Sequence, residues 1–124
     1  MRGDRQKSMV LRTKRFALAV IRLYASLSRS AIEQVLGRQV LRSGTSVGAH
    51  YREACRAKSN ADFVSKIEGA LQELDETTYW LELLRETDDG ARAAAIDPLV
   101  AEANELIAIF VTVTRSVKAL PSTR

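Results

Sequence analysis

A chain of 124 residues, 46% hydrophobic and 27% charged, fits one soluble domain able to bury a core, and 2 prolines and 6 glycines are too few for the turns of an all-β fold. The single cysteine, Cys55, excludes an internal disulfide and agrees with a reducing compartment. The net charge of +4 hides an asymmetry: residues 1–58 hold 13 Lys/Arg against 3 Asp/Glu, a balance of +10, whereas residues 59–124 hold 6 against 12, a balance of −6. A charge division of this kind points to a polyanion partner or to complementary surfaces within an assembly. No apolar run reaches the roughly 18 residues of a membrane span, and the charged start MRGDRQKSMV lacks the apolar stretch of a signal peptide. A cytoplasmic protein with no membrane partner is expected.

Residues 1–8 read as a flexible arm and 121–124 as a tail, with one domain over 9–120. The first helix is expected over 9–28, where Phe16, Val20, Leu23 and Leu27 recur at helical spacing. The second covers 30–57, with Ile32, Leu36, Val40, Val47, Tyr51 and Ala54 on one side. Ser43, Gly44, Thr45, Ser46 and Gly48 in its middle are poor helix formers, which leaves open whether the helix is kinked or broken there or runs on.

Ser59 and Asp62 have capping-box spacing and open a third helix over 60–87. Its stripe is Phe63, Ile67, Ala70, Leu74, Thr77, Leu81 and Leu84. A loop follows from Thr87 to Asp97, broken at Gly90. Asp97 is read as the cap of a fourth helix with Pro98 at its first position, where a missing N–H costs nothing. Leu99, Ala103, Leu106, Phe110, Val113, Val117 and Leu120 continue the heptad, which excludes a strand at the β-branched run 109–114. Four such helices joined by short loops imply an all-α, antiparallel up-down-up-down bundle.

The outer faces differ in charge. On the second helix Arg38, Arg42, Arg52 and Arg56 share one side, a stripe about 27 Å long if the helix is continuous. On the first, Arg15, Arg22 and Arg29 repeat at heptad spacing. The third helix presents Glu68, Asp75, Glu82 and Glu86 beside Gln72 and Tyr79. The fourth presents Ala101, Ala108, Thr112 and Ala119, an outer side so poor in charge that a subunit contact is the expected use. Unlike faces on one small bundle point to head-to-tail packing into a ring.

Chemistry-bearing motifs are absent. There is no phosphate loop, Cys/His zinc pattern or nucleophile elbow, and a di-iron bundle needs Glu-x-x-His on two helices, whereas His50 is the only histidine. No catalytic residue, metal or cofactor is expected. His50 reads as a half-buried polar residue bonded to a neighbouring helix, Cys55 as a small packing residue, and Trp80 as core or interface packing.

The segment Ser43–Ala54, SGTSVGAHYREA, followed by a third helix ending DETTYWLELL at Asp75–Leu84, resembles the 23S rRNA intervening-sequence protein family. The family signature is a Ser-Ile/Val-Gly/Pro-Ala-Asn run with a Glu three residues after the Asn. Ser46, Val47, Gly48 and Ala49 match it, Glu53 matches the Glu, and His50 stands in the Asn place. The resemblance implies a four-helix bundle assembled as a ring-shaped homopentamer. It also relates the chain to the accessory protein of diversity-generating retroelements, which implies contact with nucleic acid and a reverse transcriptase. Taken with the arginine rows, the expected function is non-enzymatic binding of nucleic acid, RNA favoured, by a homo-oligomer. The alternative is a protein-interaction scaffold or accessory subunit for a partner enzyme.

Overall fold

The computed structural model describes residues 2–121, and within them there are four helices and no strand: α1 (Arg2–Ser26), α2 (Ala31–Cys55), α3 (Asn60–Glu86) and α4 (Ala93–Lys118). Helices adjacent in sequence are antiparallel. Thr13 lies against Gly48 and Val20 against Gly44, Ser43 bonds Thr77, and Lys118 reaches back to Glu68. α4 closes the bundle against α1, and this fourth seam is the most sparsely packed. The core is a continuous stripe from each helix, including Phe16, Val20, Val47, Ile67, Leu74, Leu81, Leu106 and Phe110. Phe110 is fully enclosed and stacks on Tyr51 at 5.5 Å between ring centroids.

Two helix starts follow from their caps. Ser30 accepts a hydrogen bond from the Glu33 N–H, and Ser59 accepts one from the Asp62 N–H. Asp62 returns a bond to the Lys58 N–H rather than to the cap residue itself. α3 ends at Glu86 with Thr87 as its cap, and the connection to α4 then turns through two left-handed residues, Asp89 at φ 56° and Gly90 at φ 82°.

Several expectations need correction. The helix α1 begins at Arg2, so the residues read as an arm extend the first helix; Met1 and the tail residues 122–124 lie outside the described residues. The point left open in α2 is decided, since the helix runs unbroken through Gly44–Gly48. Ser43, Thr45 and Ser46 each donate their hydroxyl to the carbonyl four residues back, at 2.7 Å, and so are satisfied inside the helix. The glycines meanwhile serve packing. A Cβ on Gly44 would lie 2.8 Å from Val20 Cγ2, which is the room that α1 occupies. Gly44→Leu should therefore destabilise the bundle by about 1–3 kcal/mol despite its better helix propensity, read as a fall in melting temperature.

α4 starts at Ala93, not at Asp97, and Pro98 lies in its second turn. Asp97 is taken by Arg85, whose Nε donates at 2.7 Å; that bond holds the Asp97 carboxyl below its ordinary range. Ile32 is 60% exposed and Leu120 is 55% exposed, whereas Thr114 is buried. An undistorted helix drifts by about 20° per heptad, so past Phe110 the buried position falls at 114 and the strict heptad fails.

Candidate functional site

The sequence nominates two sets of residues, and the bundle places them on different faces. Arg15, Arg22, Arg38, Arg52 and Arg56 are exposed on the outer sides of α1 and α2. Arg29 is also exposed but lies in the connection between these helices rather than on α1. None of these six pairs with a carboxylate among the described residues. Arg42 is different. It donates to Glu73 at 3.3 Å and to Glu76, tying α2 to α3. It belongs to the helix seam, and the continuous α2 leaves Arg38, Arg52 and Arg56 as the unpaired part of its row.

The acidic row divides in the same way. Glu68 holds Lys118 at 3.0 Å, so it too closes a seam. Asp75, Glu82 and Glu86 are exposed without an ion-pair partner among the described residues. Ala101, Ala108 and Thr112 are exposed on α4. Ala108 and Thr112 also border an apolar cleft of about 650 Å³ between α4 and the start of α1, lined in addition by Met9, Tyr51 and Phe110. Burial beside the Cys55 thiol pushes the Tyr51 phenol well up.

The resemblance motif turns towards α3. His50 packs over Gly69, where a Cβ would lie 2.9 Å from Nδ1. Its Nε2 is 3.7 Å from Glu73 and its Nδ1 4.0 Å from Glu53, which also faces Lys66 at 3.7 Å. These distances are too long for hydrogen bonds, and Nδ1 is buried without a bonded partner. The expected bond from His50 to a neighbouring helix is thus replaced by a packing contact within a polar cluster. Ser46 bonds its own helix, Gly48 lies against Thr13, and Ala49 is exposed. The motif therefore shapes the two seams of α2, and no group of three or more His, Cys, Asp or Glu among the described residues is placed to hold a metal ion.

Two features escaped the sequence reading. The first is Glu33, which accepts two hydrogen bonds from Arg92, at 2.8 and 2.9 Å, and one from the Ser28 N–H at 2.7 Å. It thereby ties the α1–α2 connection to the start of α4, and the Ser30-x-x-Glu33 spacing was the available signal. Arg92 foremost, and then the Ser28 N–H, lower the Glu33 carboxyl from 4.5 to about 2. A depressed carboxyl stabilises the fold above its unfolded value and ceases to do so as pH falls through the folded value. Chemical unfolding of Glu33→Gln beside the parent should show the full stability gap above about pH 4.5, closing as pH falls towards 2. The second is an aliphatic ridge outside α1: Leu11, Leu18 and Ile21 are 46%, 38% and 43% exposed. The Leu11–Leu18 heptad opposite the core stripe announces it.

The fold and its faces define an antiparallel four-helix bundle with a basic side, an acidic row and no helix among the described residues long and apolar enough to cross a membrane. The chain belongs to the 23S rRNA-intervening sequence protein family, whose pattern matches residues 5–111. It is similar to a crystal structure of a protein of unknown function from the S23 ribosomal protein family of Bacteroides thetaiotaomicron VPI-5482. That chain is 35% identical, with a TM-score of 0.79, covering 89% of this chain and 97% of the other. No curated protein matches the chain.

Proposed function

We propose that this protein is a non-enzymatic, self-associating nucleic-acid-binding protein that holds phosphate backbones, RNA in preference, on the basic outer faces of α1 and α2. The observation that carries this reading is the distribution of unpaired arginines. Arg15, Arg22, Arg29, Arg38, Arg52 and Arg56 all lie on one half of the molecule, free of the ion pairs that engage Arg12, Arg42, Arg85 and Arg92. Arginines so placed bind phosphates without reading sequence. The family's link to rRNA intervening sequences favours RNA as the polyanion. Self-association, as the ring-shaped pentamer that the resemblance implies, multiplies modest contacts into avidity, and the neutral α4 face of Ala101, Ala108 and Thr112 suits the interior of such an assembly.

A second reading, an accessory subunit for a partner enzyme, draws support from Leu11, Leu18 and Ile21, because aliphatic groups add nothing to phosphate binding. Titration of structured RNA and duplex DNA at several salt concentrations separates the two. A nucleic-acid-binding protein gives a log affinity that falls linearly with log salt, by about 0.7–0.9 per phosphate neutralised. Absence of binding at low ionic strength leaves the accessory reading.

A further inference from the structure

The chain closes its own helix seams with ion pairs: Arg12 with Glu102, Arg42 with Glu73 and Glu76, Arg85 with Asp97, and Lys118 with Glu68. Against that habit, two rows of opposite sign stay unpaired among the described residues. Outside α1 are Arg15 and Arg22, flanking the exposed Leu18; outside α3 are Asp75 and Glu82, flanking Tyr79, which is 53% exposed. Both rows have a seven-residue spacing with an apolar residue between the charges. α1 and α3 do not pack on each other, so these rows cannot meet within one chain.

We propose that they meet between chains: the Arg15–Leu18–Arg22 row of one copy docks on the Asp75–Tyr79–Glu82 row of the next. The docking rests on the self-association proposed above and says which surfaces perform it. Its occupant is a second copy because the chain itself carries the complement, in charge and in spacing. It also carries it at the right level. α1 and α3 run in the same direction. The contacts Thr13–Gly48 and Ser43–Thr77 bring Arg15 and Arg22 within about one turn of Asp75 and Glu82 along the bundle axis. Two copies standing side by side in parallel, without sliding, therefore align the rows. Ile21, beside Leu18, comes level with Tyr79.

The placement also favours closure. Arg15 and Arg22 lie towards the same edge of α1 as Arg12, which reaches α4. Asp75 and Glu82 lie towards the edge of α3 that carries Glu68, which is joined to α4 by Lys118. Both contact faces thus lean towards α4 rather than pointing in opposite directions, and a repeated head-to-tail contact of that kind turns back on itself into a ring. In such a ring α4 faces inwards and α2, with Arg38, Arg52 and Arg56, faces outwards. In that ring Arg15 and Arg22 are taken up by the contact between copies, which narrows the phosphate face proposed above to Arg38, Arg52 and Arg56 of α2 with Arg29 beside them.

The test uses two full-length variants, Arg15→Glu with Arg22→Glu, and Asp75→Arg with Glu82→Arg, with folding checked by circular dichroism and mass by light scattering. Each variant alone should dissociate, its half-assembly concentration rising at least about tenfold, because like charges then face each other. Combining all four changes in one chain should restore assembly, since every head-to-tail contact then regains opposite signs whatever the number of copies in the ring. Assembly of both variants at the parent's mass and concentration would overturn the docking while leaving self-association intact. Failure of the folded, combined variant to assemble would overturn it too. A monomeric parent at micromolar concentration would remove self-association and the docking together.

Discussion

A protein carrying Arg38→Glu, Arg52→Glu and Arg56→Glu should keep its fold and assembly and lose nucleic-acid affinity by at least about a hundredfold at low salt. The three guanidinium groups are exposed and make no ion pair among the described residues, so their reversal breaks no seam. The salt slope should fall by about 2–3, at 0.7–0.9 for each phosphate contact removed. Arg42→Gln provides the internal comparison. Because Glu73 and Glu76 hold Arg42, this change should weaken the α2–α3 seam more than it weakens binding. Filter binding or anisotropy across a salt series measures both. Unchanged affinity in the triple variant would move the phosphate contacts off α2.

The largest effect on stability should come from Phe110→Ala, at about 3–5 kcal/mol. Phe110 is fully enclosed, stacks on Tyr51 and borders the cleft beside the sparsely packed α1–α4 seam. Removing the ring ends the stacking of α4 on Tyr51 of α2 and widens the cleft beside the seam that has least to lose. Out of the 5–15 kcal/mol typical of a whole domain, that is enough to lower the melting temperature by at least about 10 °C. Phe110→Leu, which keeps most of the volume, should recover most of the loss. A melting temperature within a few degrees of the parent for the alanine variant would show that α4 repacks over the gap.

The fold was legible in the sequence because its main signals are periodic. The stripes Phe16–Val20–Leu23 and Ile67–Leu74–Leu81 are buried as read, and Ser59 caps α3 as read. What failed or stayed open had local, non-periodic causes. Asp97–Pro98 looks like a helix start, but Arg85 captures the carboxylate and α4 begins a turn earlier. The run Ser43–Gly48 left a break open, but its hydroxyls bond within the helix while its glycines admit α1. The candidate surface was legible only as charge. Whether an arginine is open to a partner depends on which acids the folded chain sets against it. Both Arg38 and Arg42 are exposed, and nothing in their spacing distinguishes the unpaired one from the one bound to Glu73 and Glu76.

The contact between His50 and Gly69 bears on how relatives of this chain can diverge. The imidazole occupies the space that any side chain at 69 would enter, 2.9 Å from where its Cβ would stand. The cost of a side chain at 69 therefore depends on the residue that stands at 50. With the ring at 50, alanine at 69 requires the half-exposed imidazole to turn aside, and a shorter residue at 50 removes that requirement. This pair should therefore appear among relatives as a correlated change across the α2–α3 seam, and a scan of position 69 in one background should misjudge its freedom in another.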